Sequence, residues 1–317
     1  MEKTLPIDPH LNALLASQAE MRAPTGIPEI RARAEANAKT LPRRNINVAT
    51  TRELTVTGSA GPINARLYLP TYGDPHPLTV FFHGGGFISG SLATHDHLCC
   101  ELAQGAATAV LSIDYRLLPE HPVAAAIDDA YAALCWAADH GTELGVDSTR
   151  LALAGDSVGG HLALASSLRA RDEGGPHIKA QLLLYPPVDF TGTTYPSIEE
   201  NGEGFGLTAE QNSMLQALIA PTREIAEDPL VSPLRFADFA DLPPSLVATA
   251  EFDILRDEGT ALAAALRSAG VDVTHHSCQG MIHGFGNLTG VSTAAAAALD
   301  AATNWLRQHL DNPHSGR

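Results

Sequence analysis

One serine in this chain stands where its hydroxyl could act as a nucleophile. Ser157 sits in Gly155-Asp156-Ser157-Val158-Gly159, between an apolar run from Leu151 to Ala154 and a helical pattern through Leu162, Leu164, Ala165 and Leu168. A serine on so sharp a strand-to-helix turn is lifted out at the end of a sheet, and glycines beside it leave room that side chains would fill. The helix starting there points free backbone N–H groups at any negative charge that forms. Ordinary turns also hold serines between glycines, so the meaning of the pentapeptide rests on its partners. A serine hydroxyl needs a base to take its proton. Of 14 histidines, His283 is set apart by Gly280-Met281-Ile282-His283-Gly284-Phe285-Gly286, a glycine-rich stretch after the last strand candidate; His275 and His276 fall within that strand and read as structural. The base needs a carboxylate to fix its tautomer and steady the imidazolium. Asp253 follows the preceding strand at its C-terminal end, whereas Asp257 and Glu258 fall in a first helical turn, where carboxylates are common for dipole reasons. Asp253 is therefore preferred.

A further component is His83-Gly84-Gly85-Gly86-Phe87, directly after the apolar run Leu78 to Phe82. Consecutive glycines let the backbone approach a substrate and turn its N–H groups toward a tetrahedral oxyanion. His83 reads as a buried structural histidine. A phosphate-binding role for the glycines is weak, because no Lys-Ser/Thr follows them and no G-x-G-x-x-G opens a helix here.

These residues need a sheet whose strand ends converge. Period-2 patterning from about 51 to 69, broken at Gly58 to Gly61, predicts a hairpin. Strands are then expected at 78–82, 109–114, 150–154, 180–185, 245–250 and 271–276. Helices are expected at 95–106, 122–140, 158–171, 257–269 and 292–310. Non-alternating apolar runs suit parallel strands covered on both faces. The expected fold is α/β: a mixed, mostly parallel sheet with helices on both faces. Two regions break the alternation. Residues 1–45 carry short helical patterns broken by Pro24, Pro28 and Pro42. Residues 189–242 carry polar turns, a helical pattern near 208–219 and the apolar Phe205, Leu207, Met214, Leu215, Leu218 and Phe236. A long insertion after a strand's C-terminal end lies over the edge where α/β sites form. The domain reading is an N-terminal cap segment, 1–45, a catalytic domain, 46–188 with 243–317, and a cap insertion, 189–242.

Composition narrows the partners. The chain has 317 residues, 44% hydrophobic and 18% charged, with a net charge of −16, so nucleic acid and anionic membrane surfaces are not expected as partners. No apolar run approaches the roughly 20 residues that span a bilayer, and no signal-peptide pattern is visible. Cys99, Cys100, Cys135 and Cys278 lack zinc-site spacing, and the protein is expected to be cytoplasmic, with reduced thiols.

Together these motifs resemble the hormone-sensitive-lipase-like carboxylesterases, called family IV in bacteria, over roughly residues 50 to 310. The resemblance rests on His83-Gly84-Gly85-Gly86-Phe87, Asp114-Tyr115-Arg116-Leu117 with Pro119-Glu120, Gly155-Asp156-Ser157-Val158-Gly159-Gly160, Asp253-Ile254-Leu255-Arg256-Asp257-Glu258-Gly259 and His283-Gly284-Phe285. It implies an α/β-hydrolase fold with a helical cap. Ser157 is then the nucleophile, His283 the general base and acid, Asp253 the orienting acid, and the N–H groups of Gly85, Gly86 and Val158 the oxyanion hole. Val158 and His161 stand where alanine and asparagine are commoner. The expected activity is hydrolysis of small-molecule carboxylic esters, roughly acetyl to hexanoyl, through an acyl-enzyme, with no cofactor and no metal. Candidate pocket residues are Phe87, Phe205, Leu207, Ile254 and Ile282, and a homodimer is a candidate assembly. An amidase or peptidase with the same triad is the alternative among enzymes. A ligand-binding protein is the alternative outside them, as in plant gibberellin receptors that lack the histidine; His283 argues for catalysis.

Overall fold

The computed structural model describes residues 6–19, 24–73, 75–235 and 238–311; Phe236, one of the apolar residues of the insertion, lies outside them. Two helices, α1 (Pro9–Ala19) and α2 (Ile27–Thr40), precede the hairpin β1 (Thr50–Gly58) and β2 (Gly61–Leu69). The βα alternation then runs β3 (Pro77–Phe82), α3 (Asp96–Ala106), β4 (Ala109–Ile113), α4 (Val123–Asp139), the one-turn α5 (Gly141–Leu144), β5 (Asp147–Asp156), α6 (Val158–Glu173) and β6 (Ala180–Leu184). Three short helices follow: α7 (Pro196–Asn201), α8 (Ala209–Ile219) and α9 (Arg223–Ala226). The chain returns to the sheet as β7 (Ser245–Phe252), α10 (Arg256–Ser268), β8 (Val273–Ile282) and α11 (Thr293–Asp311).

The eight strands form one sheet in the order β1-β2-β4-β3-β5-β6-β7-β8. The β1–β2 and β2–β4 pairs are antiparallel and every other pair is parallel. Strands β3, β4 and β6 are buried along their whole length, as unbroken apolar runs covered on both faces should be. One face is covered by α4, α6 and α10 through Leu134, Leu162 and Leu262, the other by α3 and α11 through Leu98, Leu102, Leu299 and Leu306. Strand β8 differs from expectation. It begins at Val273 and continues to Ile282, because pairing resumes past an irregularity at Ala250/Phe252, where Phe252 meets Ile282. The residues leading to His283 are therefore strand, which stiffens the approach to that side chain.

The N-terminal helices are tied to the sheet's C-terminal edge. Leu11 of α1 is fully buried in the same hydrophobic cluster as Leu98, Phe285 and Leu299, and the Asp8 N–H donates to Gly280 O at 3.0 Å. Arg31 of α2 donates through Nε to Ile88 O at 2.7 Å and through Nη2 to Leu118 O at 2.9 Å. It also forms a two-pronged pair with Glu120. No helix among the described residues is long and apolar enough to cross a membrane.

Candidate active site

The backbone is most constrained at Ser157. With φ 53° and ψ −126° it lies where non-glycine residues are rare. Its N–H donates to Leu184 O at 2.8 Å, which fixes the turn between β5 and α6. A Cβ on Gly159 would lie 1.9 Å from Phe82 O, and one on Gly155 would lie 2.2 Å from the Gly159 carbonyl. Those contacts explain both glycines of the frame by close approach of backbone to backbone.

Three strand ends bring the reactive groups together. Asp253, in the turn after β7, is 1% exposed; its Oδ1 accepts the Leu255 N–H at 3.0 Å. Its Oδ2 lies 2.8 Å from His283 Nδ1, and His283 Nε2 lies 3.0 Å from Ser157 Oγ. A carboxylate only accepts, so Nδ1 carries the hydrogen and Nε2 is left as the acceptor for the serine hydroxyl. Burial pushes the His283 imidazole down, but the charge and hydrogen bond of Asp253, with Asp156 adding to them, outweigh it and the net direction is up. The ring of Tyr185 stands edge-on to His283 at 5.0 Å, and its hydroxyl accepts the Gly286 N–H at 3.2 Å, steadying the His283 loop.

The glycine loop after β3 turns through φ 127° at Gly85 and 64° at Gly86. The Gly84 N–H donates to Asp156 Oδ1 at 2.8 Å, while Gly85 O accepts from Ser89 Oγ and N, both at 3.0 Å. The N–H groups of Gly85 and Gly86 have no acceptor among the described residues. Gly85, Gly86 and Val158 border the same cavity as Ser157 and His283. His83 is fully buried, bonded through Nδ1 to its neighbour's carbonyl and stacked on Tyr115 at 4.3 Å; burial pushes it down to about 3. A ring so held serves packing. Asp257 reaches away from His283: its Oδ2 accepts the Ser197 N–H at 2.9 Å and its Oδ1 accepts from Arg256 Nε at 2.9 Å.

The cavity above Ser157 measures about 480 Å³. Its walls come from α2 (Ile30, Ala34), the glycine loop (Ile88) and the 189–242 segment (Phe190, Leu207, Met214, Leu215, Ile219). Of the expected pocket residues only Leu207 borders it. Phe87 is fully buried beneath the loop, edge-on to Tyr115 and His161; Ile254 and Ile282 are buried in the core, at 0% and 3% exposed; Phe205 stacks on Phe252 at 5.0 Å. Proximity in sequence to a reactive residue does not put a side chain on the same side, since neighbours along an extended chain point opposite ways. The readable signal was the apolar face of α8, at Leu215, Leu218 and Ile219, which had to cover something.

Residues 79–287 match a family model described as the alpha/beta hydrolase fold. The esterase LipI of Mycobacterium tuberculosis is 42% identical over 259 residues, covering 80% of this chain and 81% of that one. The carboxylic ester hydrolase LipN of the same organism is 43% identical over 286 residues, covering 88% and 76%. The solved structure of the Pyrobaculum calidifontis esterase superposes with a TM-score of 0.89 at 38% identity, over 96% of this chain and 99% of that one. With fold, strand-end residues and relatives in agreement, the chain belongs to the hormone-sensitive-lipase-like, family IV, carboxylesterases of the α/β-hydrolase superfamily.

Proposed function

We propose that this protein is a serine carboxylesterase acting on small esters with short acyl chains. The observation that carries the reading is the relay of 2.8 and 3.0 Å from Asp253 through His283 to Ser157, opening into one cavity with the glycine loop. Ser157 Oγ attacks the ester carbonyl carbon as His283 Nε2 takes its proton. The oxyanion is met by the N–H groups of Gly85, Gly86 and Val158, a contribution of about 3–4 kcal/mol per donor in comparable sites. Collapse of this intermediate breaks the bond to the alkoxide, which takes the proton from His283 and departs as alcohol. A water, deprotonated by His283, then attacks the acyl-enzyme; the carboxylic acid is released and Ser157 recovers its proton.

The N-terminal helices and the 189–242 segment act together as the cap. Its supports are Arg31, which fastens α2 to the carbonyl of Ile88 beside the glycine loop, and the apolar row Met214, Leu215 and Ile219, which faces the cavity. A bounded volume of about 480 Å³ favours short acyl groups over long ones. The test is turnover of p-nitrophenyl esters from acetate to decanoate, with a matched anilide, by the native enzyme and by Ser157→Ala. Turnover should fall with length beyond hexanoate, favour ester over amide, and drop about 10⁶-fold in the variant. Retention of a tenth of the activity by Ser157→Ala refutes the reading.

A further inference from the structure

Asp156 takes no part in the Asp253–His283–Ser157 relay, yet it is 3% exposed and its carboxylate is approached from three directions. Oδ1 accepts the Gly84 N–H at 2.8 Å and lies 3.2 Å from His95 Nε2; Oδ2 accepts from Asn287 Nδ2 at 3.2 Å. Each donor sits on a different segment. Gly84 opens the glycine loop after β3, His95 immediately precedes α3, and Asn287 lies four residues past His283. Asp156 itself precedes the nucleophile. One carboxylate therefore joins the glycine loop and the His283 loop to the nucleophile's own turn.

The glycine loop needs such a partner. Gly84, Gly85 and Gly86 have no side chains with which to fix themselves, and oxyanion donors act only when held within about 0.5 Å of their place. Strands β3 and β5 run side by side with Phe82 opposite Gly155, so the loop beyond β3 falls onto Asp156. A Cβ on Gly84 would lie 2.7 Å from Asp156 Oδ2, which measures how closely the loop is seated. His95 keeps the carboxylate in place. Facing an acceptor-only group, Nε2 must carry the hydrogen, while Nδ1 is bonded to Thr94 Oγ1 at 2.8 Å and the ring stacks on His83 at 5.5 Å.

We propose that Asp156, held by His95 and Asn287, is the positioning residue of the oxyanion-binding loop: it locks Gly84 to the nucleophile's own turn, and so sets Gly85 and Gly86 against the reacting carbonyl. A neutral amide in its place could keep its carbonyl toward Gly84 and His95, but its N–H₂ would then face Asn287 Nδ2 and the carboxylate charge would be gone. The proposal rests on Ser157 being the nucleophile, which Ser157→Ala tests separately. The groups facing His283 are Asp253 on one side, Asp156 at the elbow and the Tyr185 ring, so removing the Asp156 charge also lowers the pH at which the base loses its proton.

The experiment compares Asp156→Asn, His95→Leu, His95→Gln and Asn287→Leu with the native enzyme. The readouts are kcat and KM for p-nitrophenyl butyrate, their pH profile, and inhibition by an alkyl trifluoromethyl ketone, whose serine adduct carries an oxyanion. Asp156→Asn should lower kcat about 10²- to 10³-fold with KM within about threefold, weaken the ketone in parallel, and move the acidic limb to lower pH. His95→Leu should lose about ten- to a hundredfold in kcat and in ketone affinity, and His95→Gln should recover most of it, because the glutamine Nε2 replaces the donor. If Asp156→Asn does not fold, the His95 pair and Asn287→Leu decide. A folded His95→Leu with native kcat overturns the proposal. So does a loss confined to KM with unchanged ketone affinity, or a glutamine variant no better than the leucine.

Discussion

Asp253 and Asp257 are both carboxylates near the same turn, and exchanging each for asparagine separates catalysis from support. In Asp253→Asn the amide would present either a carbonyl or an amine to His283 Nδ1, no longer a full charge at 2.8 Å. The imidazole is then free to adopt the tautomer whose Nε2 carries hydrogen and cannot take the Ser157 proton. In a comparable triad that change costs about 10⁴-fold in kcat, or about 5 kcal/mol of transition-state stabilisation. Asp257 sits in the first turn of α10, a quarter exposed, paired with Arg256 and accepting the Ser197 N–H. The asparagine of Asp257→Asn keeps an acceptor for Ser197 and loses a charge near a helix N-terminus, worth about 0.3–1 kcal/mol. With unfolding entropy near 2.1 cal/mol/K per residue, that is a fall in melting temperature of about 0.5–1.5 °C for a chain this long. The assay is kcat on p-nitrophenyl butyrate beside a thermal melt for both variants. Asp253→Asn should lose several decades at nearly native melting temperature, and Asp257→Asn should keep most of its kcat. A loss of two decades or more in Asp257→Asn, with Asp253→Asn near native, refutes the assignment.

Three further outcomes follow from the geometry. Gly159→Ala places a methyl 1.9 Å from Phe82 O, an overlap of rigid backbone that should cost about 4 kcal/mol or more; soluble yield and melting temperature report it, and native values for both would contradict the close approach. Because the net effect on His283 is upward from 6.5, kcat/KM should rise with pH through a value above 6.5 as the base becomes neutral; a profile flat down to pH ~4 would count against a histidine base. The stability that His283 gains from Asp253 is full below the unfolded value and fades as pH rises through the folded one. Glu258 acts in the same direction: burial, with Asp189 close by, pushes its carboxyl up to about 8. The folded state keeps a proton that the unfolded chain releases near pH ~4.3, so this group draws stability down as pH climbs from about 5 to 8. Glu258→Gln, which can still accept from Val188 and Asp189, should flatten that slope in melts at both ends of the window, and an unchanged slope would be the contrary result.

The strands were legible because a parallel strand covered on both faces must be an unbroken apolar run, and β3, β4 and β6 are buried end to end. Ser157 and Asp253 were legible for a related reason, since each directly follows such a run, and His283 by the glycine-rich stretch after the last strand, so one rule about strand ends placed all three at the same edge. The cavity walls were not. Phe87 and Ile254 look like lining in sequence because they adjoin reactive motifs, but local backbone turns send both into the core. Asp156 has no visible role within its pentapeptide, since its meaning lies in Gly84, His95 and Asn287, between 61 and 131 residues away. Chain-local patterns encode burial, and only the packed fold encodes which buried polar atoms meet.

The 189–242 segment shows what this division does to function. Its first helix, α7, meets the site through hydrogen bonds to backbone: Ser197 Oγ donates to Ile254 O at 2.7 Å and Asn201 Nδ2 donates to Asp253 O at 3.1 Å. Behind it, Glu258 accepts the N–H groups of Val188 and Asp189 at the point where the segment leaves the sheet, and His161 Nε2 donates to Val231 O at 2.9 Å near its return. Its second helix, α8, meets the cavity through the apolar Met214, Leu215 and Ile219. Leu215 lies against the glycine loop so closely that a Cβ on Gly86 would stand 2.8 Å from its methyl. Bonds to backbone demand particular atoms at particular places, whereas an apolar wall tolerates exchange of one hydrocarbon shape for another at about 1 kcal/mol. The segment therefore holds the Asp253 turn with one helix and lines the cavity with the next. Cavity shape can change on α8 while α7 continues to fix the loop that carries Asp253.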